Sequence, residues 1–207
     1  MKITIIGSTG HTGVHVVREA LRRGHEVTAF TRRPHLLPST LVKAAAVSGD
    51  GRDHQAVSKA VHGADAVIAI VAASTRKGPH QAAEVATVLT EVMMGHGPRR
   101  LLVTSPYPLV AVEPRVPIAI LRLLLAKPYA DQRHMEEIVR TSDLNWTIVR
   151  LNRLLDGPAT GGTRVSPALL PKPTGTTRAD VATTLLDILV DETTHRVELN
   201  TAGPLKK

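Results

Sequence analysis

Residues 2–13 read KITIIGSTGHTG, and this stretch decides the fold. Residues 2–6 form an apolar run that is typical of a buried β-strand. A loop with three glycines spaced three residues apart follows at once, and residues 12–23 then carry apolar side chains on one helical face, with Gly24 where a helix would end. The stretch therefore predicts a strand, a glycine-rich turn and a helix in immediate succession.

Strand-like and helix-like segments alternate along the rest of the chain. The predicted strands are residues 2–6, 26–31, 44–48, 65–72, 100–104, 146–151 and 196–199. The predicted helices are residues 12–23, 53–61, 79–94, 129–141 and 177–190, the last opened by a capping box. We therefore expect an α/β fold with a doubly wound, mostly parallel sheet and helices on both faces.

The chain of 207 residues is long enough for one large domain or two small ones. No internal repeat and no low-complexity linker divides it, so we expect a single domain over residues 1–207. Pro, Gly and Thr concentrate at residues 156–177. We interpret the segment around residues 152–177 as a surface loop or lid on the substrate side of the site, rather than as a domain boundary.

The three glycines suit a turn that holds a diphosphate. Gly7 would permit a tight turn, Gly10 would let the backbone approach a pyrophosphate, and Gly13 would let the helix pack on the strand. The helix amides and dipole would then face the anion. The alternative is a plain strand-to-helix turn. The predicted cofactor loop consists of Gly7, Thr9, Gly10, His11, Thr12 and Gly13.

The end of the second predicted strand favours NADP(H) over NAD(H). An NAD site usually places an acid there to accept the ribose hydroxyls, but no Asp or Glu occurs in residues 31–49. Arg32 and Arg33 stand there instead, and a guanidinium fork can pair with a 2′-phosphate. The alternative is a solvated arginine pair. Asp50 and Gly51 are candidates for an adenine-side loop, although Asp50 suits a plain turn equally well.

Two further strand ends should line the other half of a dinucleotide. In open α/β sheets, ligands lie beyond the carboxyl ends of the strands. Ala72, Ala73 and Ser74 end the fourth predicted strand, and Thr104 and Ser105 end the fifth. We therefore expect these residues to contact the nicotinamide half.

Five stretches together resemble the atypical short-chain dehydrogenases/reductases. They are GSTGHTG at 7–13, GADAVI at 63–68, VTS at 103–105, RHMEEIVRTSDLNWTIVR at 133–150 and LLDGPATGG at 154–162. The combination is similar to the biliverdin reductase B/flavin reductase group and to NmrA-type NAD(P)-binding proteins. The resemblance implies a Rossmann-like fold, NADP(H) binding and hydride transfer to flavins, quinones, tetrapyrroles or similar planar acceptors. Some relatives of the NmrA type bind the dinucleotide without turnover, as a sensor or regulator would.

The resemblance also implies three catalytic candidates. Reductases of this family carry a Tyr-x-x-x-Lys pair on the helix after the fifth strand, and a serine directly after that strand. This chain has Tyr129, with Arg133 in the lysine position, and Ser105 in the serine position. Arginine is a wider and permanently charged substitute for lysine. The alternative is that Tyr129 only opens a helix, because reduction of a flavin-like acceptor can take its proton from solvent.

Composition argues against several other functions. The chain has no cysteine, which excludes disulfides and thiol nucleophiles and fits a cytoplasmic protein. His11 and His15 are four residues apart, but no third ligand lies near them in sequence, so we expect no metal. The net charge of +8 is scattered and aromatic residues make up only 2% of the chain, so a nucleic-acid partner is not expected.

One apolar segment calls for a separate interpretation. Residues 116–126 are apolar apart from Arg122, and they are too few to span a bilayer. We interpret them as a buried or interface helix, through which the chain could form a homodimer, and we expect no membrane partner. The expected partner is a small-molecule acceptor.

Overall fold

The computed structural model describes residues 1–71, 78 and 80–205. The strands are β1 Lys2–Ile6, β2 Glu26–Thr31, β3 Ala45–Ser48, β4 Ala66–Ala69, β5 Arg100–Pro106, β6 Asn145–Leu151, β7 Leu154–Leu155, β8 Arg164–Ser166, β9 Thr176–Thr177 and β10 Val197–Ala202. The α-helices are α1 Gly13–Arg22, α2 His54–Val61, α3 Ala82–His96, α4 Arg115–Leu124, α5 Ala126–Thr141 and α6 Arg178–Val190. None of the helices in these ranges is long and apolar enough to cross a membrane.

Eight strands form one sheet in the order β3-β2-β1-β4-β5-β6-β10-β8. All neighbours pair in parallel except β8, which runs antiparallel to β10. The chain moves outward from β1 to β3, then crosses back to β4 and continues on the other side. Between β1 and β4 the direction of winding reverses, and such a point leaves a crevice for ligands at the carboxyl ends of the strands. The expected doubly wound, mostly parallel fold is confirmed.

Two hydrophobic layers cover the sheet, one on each face. The first packs α1 and α6 onto the strands through residues such as Val17 and Leu185, both fully buried. The second packs α2, α3 and α5, through residues such as Val57, Leu89 and Val139. Aromatic residues are scarce in this chain, so Val, Ile, Leu and Ala supply most of both layers.

Two helix predictions need correction. The helix predicted at residues 79–94 begins at Ala82, where Asp131 on α5 accepts hydrogen bonds from the amides of Ala82 and Ala83. This long-range cap marks the start of the helix; residue 79 lies outside the described residues. The segment at 116–126 is indeed largely helical, as α4, but α4 has no buried residue. Burial of this helix in the core is therefore excluded, and its exposed side chains form an unpaired apolar surface.

Asp180 joins the predicted lid to the sheet. It lies in the first turn of α6, where the hydroxyl of Thr177 caps its amide at 3.1 Å. Its carboxylate accepts hydrogen bonds from the amides of Thr160 and Gly161 at 2.8 Å, and from the hydroxyls of Thr160 and Thr177 at 2.7 Å. Burial alone would raise the pKa of Asp180, but these hydrogen bonds outweigh burial and hold the pKa below its ordinary value.

We expect Asp180→Asn to lower the free energy of unfolding at neutral pH by about 2 kcal/mol or more, because charge-assisted hydrogen bonds are lost and buried amides are left without an anion. Because the folded pKa is depressed, this contribution is present above the unfolded pKa of about 3.9 and lost as pH falls through the folded value. Urea unfolding across that pH range measures it.

Asp187→Asn is the matched control, since Asp187 lies on the same helix but is largely exposed in its ion pair with Arg23. We expect it to change the free energy of unfolding by less than about 1 kcal/mol. Equal losses for the two variants would contradict the anchoring role of Asp180.

Candidate functional site

The first strand-to-helix turn is packed too closely for side chains at two of its glycines. Gly7 has a φ of +80°, and a Cβ there would lie 2.4 Å from the carbonyl oxygen of Ile70, beyond the end of β4. A Cβ on Gly13 would lie 2.2 Å from the carbonyl oxygen of Gly7. Glycine at both positions therefore lets the turn fold back on itself and rest against the chain that leaves β4.

Free amides remain at the start of α1. Within the described ranges, no hydrogen-bond acceptor meets the backbone N–H groups of Thr9, His11, Thr12 or Gly13. Such amides at a helix N-terminus favour an anion, and the helix dipole adds to the effect. A Cβ on Gly10 would meet only the carbonyl oxygen of Gly7, at 3.2 Å, and otherwise open space. The loop thus fits a diphosphate in both its donors and its room.

A small cavity of about 150 Å³ lies on the β2 side of this loop. Gly7, Thr31, Arg32, Asp50 and Gly51 contribute to its walls. Arg32 is exposed and forms no ion pair with a carboxylate of the described residues. The Arg32 guanidinium is therefore available to a ligand. Arg33 is also exposed but does not line this cavity.

Asp50 is already paired inside the protein. Its carboxylate accepts from Nη2 of Arg52 at 2.9 Å and from Nε at 3.1 Å. These hydrogen bonds, with the positive charge of Arg52, lower the pKa of Asp50 to about 2. Asp50 therefore carries its charge at neutral pH, and that charge is offset by Arg52 rather than by a ligand.

A larger cavity of about 640 Å³ lies on the other side of the loop. Thr104 and Ser105 at the end of β5 line it, as does Thr12 before α1, and its walls are mostly apolar. The helices α4 and α5, with Leu125 between them, cover it through Ile118, Leu121, Leu125, Pro128, Tyr129 and Gln132. Both cavities share Ile70 and Val71 in their walls, so a single crevice crosses the sheet beyond β4.

Ser105 lines this cavity, but its hydroxyl already donates a hydrogen bond within the protein. It donates to Oε1 of Glu136 at 2.5 Å, and Arg150 pairs with both oxygens of the same carboxylate, at 3.0 and 2.7 Å. Glu198 accepts from Arg150 at 2.6 Å. In this arrangement the Ser105 oxygen can accept a hydrogen bond from a ligand, but it cannot donate one.

Tyr129 and Arg133 do not lie in equivalent places. Tyr129 is buried in the cavity wall, and its hydroxyl has no hydrogen-bond partner among the described residues. Burial raises the pKa of Tyr129, against a smaller opposite effect of the Arg122 charge, so the phenol is protonated at neutral pH. Arg133 is exposed and is not part of the wall.

Gln132 occupies the wall position that Arg133 does not. It is 2% exposed, and its Nε2 donates to the carbonyl oxygen of Val71 at 3.0 Å. Its Oε1 is buried and lacks a partner in the described part of the chain. Gln132, Ile118 and Leu121 were not among the residues that the sequence predicts for the site. The spacing of 118, 121 and 125 on one helical face was the available signal.

The structure brings seven of the predicted cofactor residues to the walls of the two cavities. Gly7, Arg32, Asp50 and Gly51 line the small cavity, and Thr12, Thr104 and Ser105 line the larger one. Thr9, Gly10, His11, Gly13 and Arg33 line neither cavity. Ala72, Ala73 and Ser74 lie outside the described residues. Contact of any of these residues with a dinucleotide remains a prediction.

Residues 7–192 match the model of a family described as NAD(P)H-binding. A short-chain dehydrogenase/reductase from Veillonella parvula, solved in complex with NADP, is 19% identical, with a TM-score of 0.82 over 98% of this chain and 94% of that one. ChuY, an anaerobillin reductase from Escherichia coli O157:H7, is 18% identical, with a TM-score of 0.81 over 100% and 99%. At these identities the likeness shows the fold alone.

Curated relatives match only part of their own length. A 2-alkyl-3-oxoalkanoate reductase from Stenotrophomonas maltophilia is 34% identical over 110 residues, which are 51% of this chain and 33% of that protein. The chain spans about a third of the length of the curated relatives it matches.

We expect Gly10→Val to weaken dinucleotide binding by about tenfold or more, since its side chain would occupy the space above the free amides and leave them without an anion. The free energy of unfolding should change little, because the added Cβ meets only one protein atom. Isothermal titration with NADP and urea unfolding measure the two effects.

Gly95→Ala is the control, because Gly95 lies near the far end of α3 with no atom within 4 Å of an added Cβ. We expect its dinucleotide affinity to equal that of the unaltered protein. Unchanged affinity in Gly10→Val would show that the glycine loop does not hold the diphosphate.

Proposed function

The chain belongs to the NAD(P)H-binding family, and we propose that it is an NADP(H)-dependent oxidoreductase that transfers hydride to a planar small-molecule acceptor such as a flavin, quinone or tetrapyrrole. One observation carries this proposal. The free amides of the glycine loop lie beside a small cavity whose walls include Arg32 and Asp50 and a large cavity whose walls are mainly apolar. A dinucleotide beside a flat apolar molecule has this distribution of polarity. The solved NADP complex and the anaerobillin reductase with the same fold support it.

In the proposed complex, the amides of the glycine loop hold the diphosphate and Arg32 pairs with the 2′-phosphate. Asp50 and Gly51 border the adenine end, whereas Thr104 and Ser105 border the nicotinamide end. Arg32 rather than Arg33 receives the phosphate because only Arg32 lines the small cavity. NADP is favoured over NAD because the nearby carboxylate, Asp50, is occupied by Arg52.

The bound cofactor would supply the hydride, and the protein would orient the two reactants and exclude water. The apolar walls of the larger cavity suit an acceptor with two flat faces. Tyr129 is the proposed proton donor, since its phenol is protonated, lies in the wall and has no protein partner among the described residues. Ser105 and Arg133 are weaker candidates, because the first is bonded to Glu136 and the second is exposed.

The poor placement of Ser105 and Arg133 for catalysis favours a second candidate function, a non-catalytic NAD(P)-binding sensor or regulator of the NmrA type. The serine, tyrosine and basic residue of the family do not form one assembled set here, because Arg133 points away from the wall that contains Tyr129. A sensor needs only the dinucleotide end of the crevice. It would bind NADP and oxidise no NADPH.

Cofactor choice gives one test. We expect Arg32→Ala to weaken NADP binding by about tenfold or more, which is the loss of one charge-assisted hydrogen-bonding group, and to change NAD affinity less than about threefold. Arg33→Ala, which removes an equal charge outside the cavity, should change neither affinity strongly. Parallel titrations with the two dinucleotides measure this, and an equal loss for both in Arg32→Ala would contradict the assignment.

Turnover gives the other test. We expect the protein to oxidise NADPH in the presence of at least one flavin, quinone or tetrapyrrole, as followed by the absorbance of the reduced nicotinamide. Tyr129→Phe should lower kcat with quinones by about 100-fold, the usual contribution of a positioned acid, and should leave the dissociation constant of NADPH unchanged. NADP binding without turnover across the whole panel would favour the sensor.

A further inference from the structure

The helix α4 exposes a row of large apolar side chains. Val116, Ile120, Leu123 and Leu124 are 68, 53, 79 and 44% exposed. Their spacing of four, three and one residues puts them on one side of the helix, which we name the apolar face of α4. Among the described residues, thirteen large hydrophobic side chains are exposed, and five of them lie in residues 112–124. Such clustering marks a surface that binds something.

The opposite side of α4 is fixed in place. Ile118 and Leu121 line the larger cavity, and Arg122 donates hydrogen bonds to the carbonyl oxygens of Pro108, Leu109 and Ala111, at 3.0, 2.9 and 2.8 Å. The helix therefore forms the wall between the cavity and the outside. The helix cannot turn its apolar face toward the cavity, because Ile118, Leu121 and Arg122 on the opposite side already occupy that position.

The exposed charges beside this face are mainly positive. Arg115 and Lys127 lie within residues 114–130, which contain no Asp or Glu, and the nearest acidic residues in sequence are Glu113, which is exposed, and Asp131, whose carboxylate caps α3. Arg115 and Lys127 are exposed, and neither forms an ion pair within the part of the chain that the structure describes. The whole chain carries +8. A second copy on this face would bring like charges together, whereas an anionic surface would pair with them.

We propose that the apolar face of α4 docks on an anionic lipid surface. The four side chains would enter the boundary between headgroups and acyl chains, and Arg115 and Lys127 would meet lipid phosphates. This replaces the expectation of no membrane partner, which depended only on the length needed to span a bilayer. Docking itself does not depend on the proposed function.

Co-sedimentation with vesicles tests the proposal without cofactor or acceptor. The probe is vesicles of phosphatidylglycerol and phosphatidylcholine in equal parts, compared with phosphatidylcholine alone. The full chain should bind the first and not the second. Val116→Gln with Leu123→Gln should weaken binding by about tenfold or more, since two exposed side chains no longer gain from burial.

The control pair is Val42→Gln with Val190→Gln, which replaces two exposed valines elsewhere, 79 and 55% exposed. It should bind as the unaltered chain does. For charge, Arg115→Gln with Lys127→Gln should weaken binding by about tenfold or more, at roughly 1 kcal/mol for each cation near the surface. Lys43→Gln with Lys59→Gln removes the same charge from other exposed positions and should have a much smaller effect.

Three results would overturn the proposal. The first is no binding to the anionic vesicles. The second is an equal loss in the α4 pairs and their controls, which would mean that net charge alone attracts the protein. The third is a dimer in sedimentation velocity that the α4 apolar pair converts to monomer, since a second copy would then cover this face.

Discussion

The close packing of the first strand-to-helix turn controls the geometry of the candidate site. Gly13 approaches the Gly7 carbonyl and Gly7 approaches the Ile70 carbonyl so nearly that a methyl group would overlap either oxygen. This contact places the N-terminus of α1 directly at the reversal of strand order between β1 and β4. The free amides then lie where the two cavities meet, at Ile70 and Val71. This close packing therefore sets the position of the free amides and of the two cavities beside them.

The polarity of the two cavities depends on which charged groups beside them are already paired within the protein. At the carboxyl ends of β5 and β6, Glu136 and Arg150 are both buried and are paired with each other, with Ser105 and with Glu198. Burying an ion pair is costly unless further hydrogen bonds accompany it, and here Glu136 also accepts from Ser105 while Arg150 also donates to Glu198. Consequently little polarity is left for the larger cavity, whose walls are mainly aliphatic. At the other end, Arg32 forms no ion pair with a carboxylate of the described residues, and it lines the small cavity together with Asp50, which Arg52 pairs.

The sequence predicts local features well because local rules decide them. The apolar runs predict both bounds of β1 and of β2. Asp53 and Thr177 cap α2 and α6, as their positions in the sequence suggest. Contacts between residues that are far apart in the sequence cannot be predicted from local patterns. Asp131 caps α3 across 49 residues, and Glu136 takes the hydroxyl of Ser105 across 31. The choice between Gln132 and Arg133 is equally hidden, since positions three and four after Tyr129 both lie near its side of a helix and only packing selects one.

The helix α4 shows the same limit, and it also shows why burial cannot be read from hydropathy alone. Both of its sides are apolar, so its sequence indicates a helix covered all round. The fold covers one side only, because Arg122 fastens the helix to the chain after β5 through three carbonyl oxygens, while Ile118 and Leu121 face a cavity instead of a packed core. An apolar helix with an open cavity on one side and solvent on the other gains little from its own burial in the isolated chain. The exposed apolar residues of α4 therefore gain burial only when another apolar surface covers them, as in the proposed docking.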